Sequence, residues 1–348
     1  MYHIKYRRNC GSVIFACPSA IHTTVSDSTV RSRLAMKFNT AMMAAAALSS
    51  SLASSKAIME AAAAGASLSH RSGYGTITFN TAGNVTRATI SNPPINLFDF
   101  KLATDMYNFL ETLIPGNSPT PPPKVVIFDS ADPEFYIAHF DFSTLLPPAT
   151  AEKAATANLY IACTSLLQNI TSTIFIGQVN GQAFGAGDEL LVQMDMRFAG
   201  PQTRLGSLEI GLGQLHGVGG LQFLDRLINR GRAAEYLLTG NNIDGPTAAS
   251  LGWVNRYYDN AADLTAAVNT IAQRIALFPL GGINATKVGL NANNPSPAAL
   301  AQDLEAVLTL GASPEGQALI QKFLVLSQNQ TRSPFELGLD DTLIQLYQ

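Results

Sequence analysis

The chain has 348 residues, 47% of them hydrophobic and only 14% charged, with a formal net charge of -3. Such a length and apolar content can bury a large core in one broad domain or two lobes, while so sparse and balanced a charge does not suggest a nucleic-acid partner. The longest apolar stretches, in the N-terminal Ala/Met/Ser region, are short and broken by Ser, so no membrane span is expected and the protein reads as soluble.

Residues 1–70 do not read as fold and form a targeting or disordered extension. From Met1 to Ala35 the chain carries Arg7, Arg8, Arg31 and Arg33, many Ser and Thr, and Asp27 as its only acid, the bias of a mitochondrial transit peptide. From Met36, MKFNTAMMAAAALSSSLASSKA has a basic start, an apolar middle and small residues near Ser54 and Ala57, the pattern of a secretory signal. The two readings exclude each other and both stay open, as does a start at Met36. Asn84, Asn169, Asn284 and Asn329 each begin an N-x-T triplet, which fits export. Cys10 and Cys17 lie in the extension and Cys163 stands alone, so neither a disulfide framework nor a metal site of the CxxC kind is available. Cys163, in the apolar run LYIACTSLL, reads as an inert buried side chain.

The globular part begins near Ser72. GYGTITFN and VTRATIS alternate apolar and polar residues about a turn at Ala82 to Asn84, which predicts a hairpin. NPPINLFD follows as a loop, because Pro93 and Pro94 exclude regular helix. Leu102, Met106, Phe109, Leu110 and Leu113 recur at helical spacing and predict an amphipathic helix over 100–113. IPGNSPTPPP stops it and is an extended linker. KVVIFDS predicts a buried strand, residues 151–169 a long helix, IFIGQVN a second strand, and a helix opens at Ala186. Strands alternating with helices argue for an α/β fold with a largely parallel sheet over 71–258. Beyond Tyr258 only helical patterns remain, at 261–277, 299–310 and 315–326, which marks 259–348 as a helical C-terminal lobe.

The chemistry-bearing stretch is IFIGQVNGQAFGAGDELLVQMDMRFAG, followed by GSLEIGLGQLHGVGG. A strand ending at Asn180-Gly181 and turning through Gly185 and Gly187 brings unpaired backbone N–H groups to a helix start, where their dipoles favour negative charge. Gly185 and Gly187 let a ligand approach the backbone. Glu189, one turn into that helix, is expected to stay ionised beside the positive helix end and to accept a proton. Without its glycines it would read as a capping residue. Glu209 alone would read as an exposed acid in a turn, and its spacing from Gly217-Val218-Gly219-Gly220 makes it a second candidate.

These segments resemble the signature block of the crotonase, or enoyl-CoA hydratase/isomerase, superfamily. The resemblance runs from about Tyr74 to Arg256 and is dense from Gln178 onward. It implies a spiral of ββα repeats with a helical C-terminal region, packed as a homotrimer or paired trimers. Glu189 and Glu209 occupy the places of the family's two catalytic glutamates. YIAHFD, Tyr136 to Asp141, matches its F-x-A-G-x-D segment, which implies that the N–H groups of Phe140 and Ala186 form the oxyanion hole. The same match puts Ala138, His139, Asp141 and Gly185 against substrate, with Lys101 and Lys287 as candidate contacts to coenzyme A phosphates. The coenzyme is then part of the substrate, an acyl-CoA thioester, and neither a separate cofactor nor a metal is expected. Three positions depart from the pattern: His139 and Ala186 stand where the family has Gly, and His216 where it has Pro.

Paired carboxylates favour hydration of a 2-enoyl thioester, with Glu189 activating water and Glu209 protonating Cα. Double-bond isomerisation needs one carboxylate, and Glu209 alone would serve. A third reading is a non-catalytic exported protein that kept the fold. His139 and His216 otherwise read as polar loop residues, and Asp141 and Asp188 as caps.

Overall fold

The computed structural model describes residues 74–348. The extension assigned to 1–70, with its transit-like and signal-like readings and with Cys10 and Cys17, lies outside the described residues.

The hairpin forms as expected: β1 (Ile77–Ala82) pairs antiparallel with β2 (Val85–Ile90). After the 92–99 loop comes α1 (Phe100–Thr112), whose first turn is closed by Asp99 accepting from the Leu102 N–H. From there the chain repeats one pattern, placing a strand in each of two sheets and then turning into a helix. β3 (Val125–Ser130) and β4 (Phe135–Ile137) precede α2 (Ala151–Asn169). β5 (Ile174–Val179) and β6 (Gln182–Phe184) precede α3 (Ala186–Val192). β7 (Met196–Ala199) and β8 (Arg204–Gly206) precede a 3-10 turn (Glu209–Leu212) and α4 (Gly220–Ile228). α5 (Arg230–Thr239), β9 (Asn242–Asp244), α6 (Gly245–Leu251) and β10 (Arg256–Tyr257) complete the core.

The larger sheet has the order β1-β2-β3-β5-β7-β10 and the smaller β4-β6-β8-β9. Pairing from β2 through β10 is parallel, as it is among β4, β6 and β8. This is the ββα spiral. Both faces of the large sheet are buried, which suits strands that read as continuous apolar runs. In β3, Val126 and Phe128 face the cluster holding α1 and α2, while Val125 and Ile127 face the opposite side.

That opposite side is covered by α7 (Ala261–Leu277), which sets Leu264, Val268 and Ala272 against the sheet at intervals of four residues. Burying the first two contributes roughly 1.5–3 kcal/mol each. α8 (Leu280–Asn291), α9 (Pro297–Gly311), α10 (Pro314–Leu326) and the short α11 (Pro334–Leu337) and α12 (Leu339–Thr342) follow. Ile320, Phe323, Phe335 and Leu343 from this end pack on Phe142, Phe184, Leu208 and Leu212, so the C-terminal helices wall the loops that leave the small sheet. No helix among the described residues is long and apolar enough to cross a membrane.

Candidate active site

The small sheet determines where the site lies. Ile137 of β4, Ala183 of β6 and Leu205 of β8 are in register. Three residues beyond the first two stand Phe140 and Ala186, and Glu209 follows just after β8. Successive turns of the spiral therefore deliver their parts to the same edge of one sheet. The Phe140 N–H points away from its neighbour in the ladder, since His139 O and Asp141 N make the bonds to Phe98. Ala186 is the first residue of α3, whose N–H has no intrahelical acceptor. Neither N–H donates to any described residue.

Two glycines make the close packing possible. Gly185 has φ of +48°, and a Cβ there would lie 2.0 Å from Glu209 Oε1. A Cβ on Gly187 would meet Ile137 O at 2.2 Å, so the start of α3 lies directly on β4. Val218, a β-branched residue at φ of +50°, is held in a region such residues avoid. The turn it belongs to aims the Gly217 N–H at Glu189 Oε1, 2.5 Å away.

Glu189 and Glu209 converge. Each has an oxygen 3.6 Å from the same atom, His216 Nδ1, and they are 4% and 6% exposed. Glu189 Oε2 accepts from the Tyr160 hydroxyl, and Glu209 Oε2 accepts from Ser207 Oγ at 2.7 Å. Glu209 Oε1 accepts from no described residue. Burial pushes the Glu189 carboxyl up to about 8; Glu209 adds to the rise, while His216, Tyr160 and Gly217 oppose it. The expectation that the helix end keeps Glu189 ionised is therefore corrected. Loss of water outweighs a helix dipole worth at most about 2 kcal/mol.

The remaining candidates divide sharply. Ala138 and Gly185 line the same strand ends, and Asp141 accepts from Ser143 N–H, the cap expected of it, and from Gln330. His139 is fully buried rather than a loop residue at substrate. Its Nδ1 meets Phe140 O at 2.8 Å and its Nε2 meets Glu336 at 3.1 Å, so neither nitrogen is free for a ligand. Lys287 is also corrected as a phosphate contact. Its ammonium is spent on Thr173 O and Asp195 Oδ2, both at 2.8 Å, and lies 4.4 Å over the Phe175 ring. Lys101 is exposed on the first turn of α1. Asp188 gives α3 no side-chain cap; it accepts from Trp253 Nε1 at 2.8 Å and lies 3.2 Å from His216 Nε2.

Tyr160 and His216 are the site residues that sequence reasoning missed. Tyr160 was hidden in an apolar helical run, and a hydroxyl on the buried face was its one signal. Donor atoms of Glu189, Glu209 and His216 lie within 4.8 Å of one another, close enough to surround a cation. Three of the four glutamate oxygens also accept hydrogen bonds. Cys163 is buried and its thiol is pushed far up by desolvation, as an inert side chain should be. A cavity of about 640 Å³ lined by Ile114, Leu166, Asn169 and Asn284 lies apart from the acids.

A two-sheet ββα spiral that sets paired glutamates beside unpaired amides defines the class. The enoyl-CoA hydratase/isomerase family matches residues 80–322, and the chain belongs to that family. A solved structure from Streptomyces avermitilis, an enoyl-CoA hydratase by assignment, is 35% identical, with a TM-score of 0.71 over 79% of this chain and 98% of that one. The short-chain-enoyl-CoA hydratase of Clostridium acetobutylicum is 34% identical over 116 residues, 33% of this chain and 44% of that protein. The 2,3-dehydroadipyl-CoA hydratase of Escherichia coli is 32% identical over 161 residues, 46% of this chain and 61% of that protein. The aligned part thus spans less than two thirds of either curated relative.

Proposed function

We propose that the protein adds water across the double bond of a 2-enoyl-CoA thioester. The observation that carries this is the convergence of Glu189 and Glu209 on one point beside the uncommitted Phe140 and Ala186 N–H groups. The thioester oxygen gains charge as the enolate forms, and two preset donors stabilise it there. Losing one such donor typically costs about 3 kcal/mol. Two buried like charges cannot both persist, so the pair carries a single proton at neutral pH. One carboxyl and one carboxylate are what hydration needs. The carboxylate takes a proton from water as its oxygen attacks Cβ, and the carboxyl gives one to Cα, leaving the pair with one proton as before. Coenzyme A enters only as part of the substrate, with Lys101 the remaining candidate for its phosphates. A homotrimer or paired trimers is the working form, with exposed Leu277, Leu290 and Val325 on the C-terminal helices available for contact.

A second reading is favoured by one asymmetry. Both Glu189 oxygens are bound, whereas Glu209 Oε1 is free among the described residues, so Glu209 alone could shuttle a proton in double-bond isomerisation. Purified protein is incubated with 2-enoyl-CoA and 3-enoyl-CoA, following the conjugated chromophore and product mass. Loss of conjugation with the mass of one water supports hydration. Gain of conjugation from the 3-enoyl compound supports isomerisation. No change with either substrate overturns both.

A further inference from the structure

His216 is a buried imidazole with no hydrogen-bond partner among the described residues for either ring nitrogen. Its side chain is inaccessible, packed so that a Cβ on Gly220 would meet the ring at 2.6 Å. Nδ1 lies 3.6 Å from Glu189 Oε1 and 3.6 Å from Glu209 Oε2, too long for a hydrogen bond to either and equal for both. On the far side of the ring Asp188 Oδ2 stands 3.2 Å from Nε2, and Asp188 is itself fixed by Trp253. A buried polar atom left unpaired is costly, and such exceptions call for a functional explanation.

Each hydration ends with the proton on the wrong glutamate, and it must cross back before the next substrate. We propose that His216 carries that proton through Nδ1, the nitrogen that faces both glutamates, while the Asp188 charge 3.2 Å from Nε2 favours keeping the other ring proton there; the proposal rests on the hydratase reading. In the first step the Nδ1–H bond breaks and an O–H bond forms on the glutamate that protonated Cα. The N–H electron pair stays on the ring, which becomes neutral. In the second step the O–H bond breaks on the glutamate that deprotonated water, and Nδ1–H forms again. One proton has moved, and no other reactant is used.

The surroundings support this division of labour. Charged groups facing the ring are Asp188 and Glu189 from α3 and Glu209 from the 3-10 turn, with Asp303 of α9 acting through its charge. Burial opposes the charged ring, but these carboxylates raise the His216 pKa well above its ordinary value, so the carrier starts loaded. The Tyr160 hydroxyl cannot substitute, because burial and the Glu189 charge raise its pKa well above the ordinary tyrosine value. His216 is a positioning residue for the pair's proton and does not touch substrate.

Rapid-quench kinetics on the full chain test this with His216→Gln and with His216→Phe, which keeps ring volume without nitrogen. In both variants the first turnover should run near the wild-type rate, and steady-state kcat should then fall about 100-fold with KM unchanged. A first turnover slowed as much as the steady state, or a steady state not slowed at all, overturns the proposal. Nitrogen NMR supplies a readout that does not depend on turnover. The signals absent from His216→Gln should show both ring nitrogens protonated at pH 7 in wild-type protein, and a neutral ring overturns the proposal even if the enzyme works. Stoichiometric divalent metal in the purified protein, removed together with activity by a chelator, overturns it in favour of a cation site. An idle wild-type enzyme with a charged His216 refutes the hydratase reading instead.

Discussion

Two histidines lie side-chain-deep among the described residues, and they behave differently. His139 stacks on Phe142 with ring centroids 5.0 Å apart, and both its nitrogens are engaged, one by Phe140 O and the other by Glu336. His216 has three carboxylates around it, and neither of its nitrogens hydrogen-bonds to any of them. Burial is equal, and neighbouring acids raise the pKa of both. Satisfaction of the ring nitrogens separates them: a fully paired imidazole ties the C-terminal α11 to the strand end before Phe140, whereas an imidazole poised between two acids can move protons.

The comparison is broken most forcefully by removing one carboxylate charge from each histidine. Glu209→Gln should lower kcat/KM about 1000-fold, since general acid–base groups contribute roughly 100- to 10,000-fold. Its melting temperature should hold or rise, because a buried like charge has gone. Glu336→Gln should do the reverse, costing about 3 kcal/mol of stability by leaving the buried His139 charge uncompensated while kcat is retained. Equal loss of activity in both variants would refute the distinction. Urea unfolding and steady-state assays on the two proteins decide it.

Stability against pH sharpens the same contrast. His139 has a raised folded pKa, so its contribution is fully present below the unfolded histidine value of about 6.5 and fades as pH climbs through the folded value. Glu189 acts in the same sense: raised from 4.5 to about 8, it favours folding while protonated and weakens it progressively across that window. Glu189→Gln should therefore melt a few degrees above wild type at pH 8 and level with it near pH 4. A wild-type protein whose melting temperature rises from pH 5 to 8 would contradict both assignments.

Legibility in the sequence followed element length and locality. β3, β5 and the helices at 151–169 and 261–277 are long enough for their period to show, and the last two have the bounds expected of them. β4, β6, β8 and β9 run only three residues each, too few for any period, so the smaller sheet that carries the site was visible only through family resemblance. Glu189 and Glu209 stand in glycine-marked motifs and were legible. The partners that set their chemistry were not. Tyr160 comes from a helix 29 residues upstream, and Glu336 reaches His139 across 197 residues, distances over which no local pattern carries information. Lys287 looked like a free cation because Asp195, its partner, lies 92 residues away.

Tyr160 offers the gentlest perturbation. Its hydroxyl donates to Glu189 Oε2 from a ring packed between Phe98 and Phe140, with centroids 4.9 and 5.6 Å away, so Tyr160→Phe removes one donor and leaves the packing. A donor to an ionised carboxylate favours the ionised form; without it the Glu189 pKa should rise further above 8. The alkaline limb of kcat against pH should move upward in the variant, with less than a tenfold change at its optimum. Stability should fall by about 1 kcal/mol, the usual worth of one hydrogen bond. A limb that stays in place would mean that the tyrosine only fills space, and that Glu189 owes its proton to burial and to Glu209 alone.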